Sequence, residues 1–345
     1  MNIYINITIK MGIKNLYKYI LENDLEKDVD ISKLKNKIIA IDISILLYQV
    51  VISTRSRCGA DHLSPSGEIS THVLGLFNKT INLIKKRIIP VYVFDGKPPD
   101  IKRKTLDMRK DIRKKAMEKL KNTTDEKERI KYLKRSVSIC RKQLNECRKL
   151  LDIMGIPYID APQEADSQCS YLARNGMVDG VLTEDMDIFT FGSPIIYKNL
   201  YSIKKAPKII HLKNILNKTQ LNYNQFIEWC CLLGSDYCKG IIDLKYFDIL
   251  DLYKQTKDFD AVITHCTKNN IRCCSANDYR KVYKYFNNPI IKKVKNRDLL
   301  YKKCDMDQLE YFLVKKFGFS KPKLLKKLYY LKERNKYIKI KNNNL

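Results

Sequence analysis

Seven carboxylates punctuate this chain where they could act together: Asp42; Asp95; Glu164 with Asp166; Asp185 with Asp187; and Asp236. Hydrolysis of a phosphodiester needs a nucleophilic hydroxide and relief of the charge on the departing oxygen. Two divalent ions about 4 Å apart supply both. Mg²⁺ prefers oxygen ligands and keeps several waters, so a nest of carboxylates with few His or Cys is the pocket expected for it, with Mn²⁺ as a substitute. Without cations the like charges would repel, so the metal is what makes such a cluster tolerable. A separate general base is not required, because a bound ion lowers the pKa of water. Other chemistries find little support: the chain has four histidines, and neither a GxSxG nor a P-loop pattern occurs.

The acids need strands to bring them together. Ile38–Ile41 runs into Asp42, Val91–Phe94 into Asp95, and Gly180–Thr183 into Glu184, Asp185 and Asp187. Continuous apolar runs suit parallel strands covered by helices on both faces. Functional crevices of open α/β sheets lie outside the carboxyl ends of such strands. The expected fold class is therefore α/β, with a central, mostly parallel sheet flanked by helices. Pro162 precedes Glu164 and Asp166 in a helix-start arrangement. Acids in a first helical turn also have a purely structural use, because the helix dipole favours them, and these residues alone leave both readings open.

Residues 102–149 carry nineteen Lys/Arg against seven Asp/Glu and read as a basic helical hairpin, broken near Asn122–Asp125 with Thr124 or Asp125 as the next cap. Lys102 and Arg109 stand two turns apart on one face, where cations could grip a scissile phosphate. Ordinary solvated surface charge is the competing reading. Beyond Asp236 the chain reads as helical and basic, clearest over 307–313 and 322–334, and ends in a polar tail from Lys339. The divisions expected are 1–10 as an extension, 11–101 and 150–236 as two parts of one catalytic unit, 102–149 as the basic hairpin, 237–335 as a helical region packed as one unit, and 336–345 as tail.

Composition agrees. Lys plus Arg number 66 against 38 Asp plus Glu, a formal charge of +28 that would attract a polyanion and release its counterions. Abundant Lys, Ile and Asn from an AT-rich coding sequence would give the same excess, so charge alone does not decide. Eleven cysteines without a CxxC pair argue against a disulfide scaffold and for a reducing, intracellular setting. His265-Cys266 near Cys273-Cys274 lacks the usual zinc spacing, and packed thiols are the better reading. No apolar run reaches the ~18 residues of a membrane span. The first ten residues alternate Asn2, Tyr4, Asn6 and Thr8 with isoleucines, as a strand would, and form no signal core.

Met11-Gly12-Ile13, Ala40-Ile41-Asp42, Val93 to Pro99, Met154 to Tyr158, Thr183 to Asp187, Thr190 to Ser193 and Leu233 to Tyr237 resemble, in order and spacing, the flap endonucleases. The resemblance covers Met11 to about Arg334. It implies a two-metal nuclease that cuts branched DNA at 5′ flaps in replication and repair, with 5′-3′ exonuclease activity. Asp42, Asp95, Glu164 and Asp166 would serve one Mg²⁺, and Asp185, Asp187 and Asp236 the other. Lys102 and Arg109 match the catalytic cations of the family's helical arch, through which a 5′ strand threads. Tyr48 matches an aromatic that stacks on a base, with core packing as its alternative. Arg55, Lys79, Glu164, Gly234 and Asp236 fall where the family touches DNA, and a monomer is expected.

Three departures stand out. Ten residues precede Met11, where family members begin at the following glycine, so an over-long start is expected. The Gly-Ile-Gly hairpin that holds K⁺ and a duplex phosphate in the family reads Gly240-Ile241-Ile242-Asp243 here. Ile242 hinders close backbone approach, Asp243 would repel DNA, and the K⁺ site is in doubt. The residues after Lys341 do not read as a clamp-binding motif, so coupling to a sliding clamp by that route is not expected. A catalytically silent DNA-binding scaffold of the same fold, or a 5′-3′ exonuclease or junction nuclease of the superfamily, are the alternatives.

Overall fold

Seven strands form one sheet in the computed structural model: β1 (Glu26–Asp28), β2 (Ile38–Asp42), β3 (Ile89–Phe94), β4 (Tyr158–Asp160), β5 (Gly180–Leu182), β6 (Ile195–Lys198) and β7 (Lys208–His211). The structure describes residues 12–202 and 204–342; the extension 1–10, the start expected at Met11 and the last three residues lie outside it. The strand order is β1-β7-β6-β5-β2-β3-β4. β4, β3, β2, β5 and β6 run parallel, while β7 and β1 add an antiparallel edge. The mostly parallel α/β sheet expected from the apolar runs is present.

Alternation along the strands explains why those runs are continuously apolar. Ala40, Val91, Val93 and Val181 enter one core, and Ile39, Ile41, Tyr92, Phe94 and Leu182 enter the other. Register keeps these sets aligned, pairing Ala40 with Val91 and Val181, and Ile41 with Tyr92 and Leu182. With both faces covered, the central strands β2, β3 and β5 carry no charged residue before Asp42 at the very end of β2.

The helices in the first half are α1 (Leu16–Glu22), α2 (Ile43–Cys58), α3 (Thr71–Lys85), α4 (Arg103–Asn122), α5 (Glu126–Arg135), α6 (Arg141–Met154) and α7 (Ala165–Arg174). Those that follow are α8 (Asp187–Thr190), α9 (Leu212–Thr219), α10 (Tyr223–Leu233), α11 (Tyr246–Thr256), α12 (Phe259–Lys268), α13 (Ala276–Asn287), α14 (Met306–Glu310) and α15 (Lys321–Asn342). One core collects α1, α7 and α10 to α13, with Trp229 buried edge-on to Tyr19 at 5.2 Å. The other collects α2, α3, α6, α14 and α15. The region expected to pack as one unit over 237–335 thus divides between the two faces of the sheet. α15 also continues to Asn342, past the expected frayed start at Lys339.

The basic hairpin differs from expectation in one respect. The break at 123–125 is present, and Asp125 caps α5 by accepting from the Glu128 N–H at 2.7 Å. A second break at 136–140 separates α6, whose Cys147, Leu150, Leu151 and Met154 are buried in the core. α4 buries only Ala116 and α5 only Tyr132, so these two form the arch and α6 belongs to the globular body. Charge density over 102–149 had concealed the apolar stripe of α6.

Candidate active site

The carboxyl ends of β2, β3 and β5 open on the same edge of the sheet. Asp42 ends β2 and caps α2, accepting from the N–H groups of Ser44 at 2.7 Å and Ile45 at 3.3 Å. Asp95 follows β3 and accepts from the Ser44 hydroxyl at 2.5 Å and the Ala165 N–H at 2.8 Å. Gly96 makes the second contact possible: a Cβ there would lie 2.2 Å from the Ala161 carbonyl oxygen, so only glycine lets this loop cross the segment leading to α7. Glu164 stands at the start of α7 with Asp166 in its first turn, and Pro162 lies ahead of the cap rather than inside the helix. Asp185 accepts the Asp187 N–H at 3.0 Å beyond β5, and Asp187 opens α8. Asp236 follows α10.

Burial and mutual repulsion act on this group together. Burial, with the charge of Asp95, holds Asp42 well above the ordinary carboxylate range. Burial followed by Asp185 raises Asp166, and burial followed by Asp185 and Asp236 raises Asp187. Asp185 is raised by burial with Asp236, against the opposing Asp187 N–H. Asp95 is raised by burial as well, and by the Glu164 charge, against the hydrogen bonds from Ser44 and Ala165. Oδ1 of Asp166 and Oδ1 of Asp187 are buried without a hydrogen-bond partner. Orphaned oxygens among acids, all of them hard donors, fit a site for oxygen-loving divalent cations.

The base of the arch closes over the acids. Lys102 lies in the short 3₁₀ turn Asp100–Lys102, just ahead of α4 rather than within it, and pairs with Glu164. Arg109 pairs with Asp236, and the Thr105 hydroxyl donates to the Asp236 carbonyl oxygen. Burial would lower the Lys102 ammonium, yet Glu164, Asp236 and Asp166 raise it overall. Thr105 escaped the sequence reading, although it lies on the face shared by Lys102 and Arg109. As the side chains are placed, no three His, Cys, Asp or Glu among the described residues form a group that could hold a metal ion. The same holds for His265, Cys266, Cys273 and Cys274, and all eleven cysteines are free thiols.

Comparison with known proteins meets this geometry. Residues 11–116 match the XPG N-terminal domain and residues 155–236 the XPG I-region. Flap endonuclease 1 of Caenorhabditis briggsae is 36% identical over 322 residues, covering 91% of this chain and 84% of that protein. That of Heterostelium pallidum is 36% identical over 327 residues, covering 91% and 83%. The chain belongs to the flap endonuclease family. Among solved structures, the flap endonuclease-1 from Methanococcus jannaschii superposes with a TM-score of 0.70 at 27% identity, covering 90% of this chain and 96% of that one. The catalytic core of Rad2 in complex with DNA substrate gives 0.71 at 25%, covering 93% and 100%. As a flap endonuclease, the protein is a structure-specific, phosphodiester-hydrolysing nuclease of DNA replication and repair, from a metal-dependent family. Among the described residues, no helix is long and apolar enough to cross a membrane.

Other positions singled out in the sequence fare unevenly in this flap endonuclease. Tyr48 on α2 is exposed, which removes core packing as its explanation. Arg55 donates to Asp61 at 2.8 Å, to the Leu133 carbonyl at 2.8 Å and to Ser136, so it ties α2 to the arch. Lys79 lies over the Tyr201 ring at 4.9 Å. Gly234 has φ +92, and a Cβ there would lie 2.4 Å from the Lys239 carbonyl oxygen, a structural need for glycine at that crossing. In the altered hairpin the Ile242 N–H donates to the Arg272 carbonyl at 2.9 Å. Asp243 accepts two-pronged bonds from Arg272, whose hydrogen bonds hold its carboxyl at about 2. The repulsion expected from Asp243 is therefore offset by a guanidinium that composition alone did not pair with it.

Proposed function

We propose that this flap endonuclease binds branched DNA and cuts it at the base of a 5′ flap with two Mg²⁺ ions, and that it also trims 5′ ends as an exonuclease. The carrying observation is that acids spread from Asp42 to Asp236 lie within electrostatic reach of one another beneath a basic arch. Asp42, Asp95, Glu164 and Asp166 would hold one ion, and Asp185, Asp187 and Asp236 the other. Such ions lower the pKa of water and offset charge on the departing oxygen.

The remaining work falls to the chain's own groups. Lys102 and Arg109 now neutralise Glu164 and Asp236. Were ions to satisfy the acids, both cations would be free to face the scissile phosphate and stabilise its developing charge. Thr105 keeps the arch helix against Asp236 while they do so. Tyr48 offers an exposed ring for stacking on any base, and the positive surface holds the phosphate backbone. Because the Ile242 N–H is already bonded, duplex anchoring rests on lysines, and K⁺ should change affinity little.

A labelled double-flap substrate with Mg²⁺ tests this reading. Wild type should cut at the flap base, and Asp185→Ala should bind without cutting. Equal cutting by the variant would remove the ligand assignment. Binding by wild type without cutting in either Mg²⁺ or Mn²⁺ would leave a silent scaffold.

A further inference from the structure

Glu164 is gripped from three separate parts of the chain. Lys102 donates to Oε1, while Tyr237 and Tyr285 both donate to Oε2, Tyr285 at 2.7 Å. Tyr237 neighbours Asp236, but Tyr285 comes from α13, 121 residues away from Glu164, and belongs to none of the motifs. Its ring is fixed by packing: edge-on to Phe191 at 5.6 Å and tilted against Tyr237 at 5.2 Å. A second tie follows it. The Lys292 N–H donates to Gln168 Oε1 at 2.7 Å, and the Lys292 carbonyl accepts from Gln168 Nε2 at 3.0 Å. Since Gln168 lies on α7, the segment after α13 clamps the very helix that starts at Glu164.

We infer that Tyr285 is a positioning residue that sets the orientation of the Glu164 carboxylate and so couples the C-terminal helices to cation binding. The inference rests on the reading of Glu164 as an ion ligand. The terminal torsion of a glutamate is soft and broad, so an unheld carboxylate samples orientations facing away from its neighbours. Two hydroxyl donors on Oε2 fix that torsion and leave Oε1 turned towards Lys102. Against a carboxylate oxygen at 2.7 Å the Tyr285 hydroxyl is the donor. Partners that orient a ligand typically contribute 10- to 100-fold in metal affinity. Tyr237 remains when Tyr285 is cut back, so the lower end applies, about tenfold.

The test is Mn²⁺ affinity of the DNA-free protein, read by electron paramagnetic resonance, for wild type, Tyr285→Phe, Glu164→Gln, the double variant and Tyr283→Phe as a control on the same helix. Tyr285→Phe keeps the ring and should melt like wild type, yet bind Mn²⁺ about tenfold more weakly. Glu164→Gln should lose at least as much, and adding Tyr285→Phe to it should cost nothing further, which a general structural role would not produce. If Glu164→Gln weakens binding while Tyr285→Phe does not, the inference fails and the ligand reading stands. If neither does, the ligand reading itself is lost. Additive losses, or an equal loss in Tyr283→Phe, would also overturn the positioning role.

Discussion

Asp187→Asn should stabilise the metal-free protein while disabling it. Asp187 is 2% exposed, its Oδ1 has no partner, and Asp185 and Asp236 press their charge upon it. An unsatisfied buried acceptor costs about 1–3 kcal/mol, and more when charged. An asparagine of the same shape removes the charge, and its amide can donate to the neighbouring carboxylates. A gain of about 2 kcal/mol is a fair central value. With roughly 2.1 cal/mol/K of unfolding entropy per residue, that corresponds to a rise of about 3 °C in Tm for a chain of this length. Calorimetry with chelator, then with Mg²⁺, separates the two effects. Wild type should gain from the ion, about 2.7 kcal/mol at a hundredfold excess over Kd, whereas Asp187→Asn should gain far less and should fail to cut a flap. An Asn variant melting at or below wild type in chelator would refute the argument, because the repulsion that makes the cluster need cations would then be absent.

Thr105→Val removes the hydroxyl that ties the arch to the Asp236 carbonyl, worth about 1 kcal/mol; amides of Arg103–Asn122 should exchange with deuterium about fivefold faster, and unchanged exchange would show the arch is held elsewhere. Gly234→Ala places a Cβ 2.4 Å from the Lys239 oxygen at φ +92, so Tm should fall by about 4 °C, for roughly 3 kcal/mol, and cleavage should fall as Asp236 shifts. His72, fully buried with Nε2 2.7 Å from Glu146, is pushed below its ordinary 6.5 mainly by burial, against the pull of Glu146. Its folded form binds fewer protons than the unfolded one, so the stability it contributes is complete above 6.5 and is lost as pH falls through the lower folded value. His72→Gln keeps a donor for Glu146 but cannot take up a proton, and melting curves from about pH 7 down to pH 5 should show a shallower loss than wild type; equal slopes would assign the acid sensitivity to other groups.

The sheet and its acidic edge were legible because both are written locally. A run such as Val91–Phe94 has no polar residue until Asp95, and in a sheet covered on both faces a carboxylate there has nowhere to go but the open edge. Three such runs therefore point their acids to one place without any knowledge of contacts. The hairpin was read less well for the same reason: local charge outweighed the spacing of Cys147, Leu150, Leu151 and Met154, and only packing shows that α6 turns inward. What could not be read at all were choices of partner. Arg55 is expected where the family touches DNA, but its pairing with Asp61 and the end of α5 depends on how α2 meets the arch. Lys102 and Glu164 are 62 residues apart, and Tyr285 is farther still, so their meeting is a property of the closed fold. Yet those long-range partners decide the chemistry available. Seven acids without counter-charge would oppose folding, and the protein answers with two cations from the arch, paired to Glu164 and Asp236. On the proposed assignment, cation binding would free Lys102 and Arg109 in one exchange, and the arch would become competent to grip a phosphate only as the acids below it are filled.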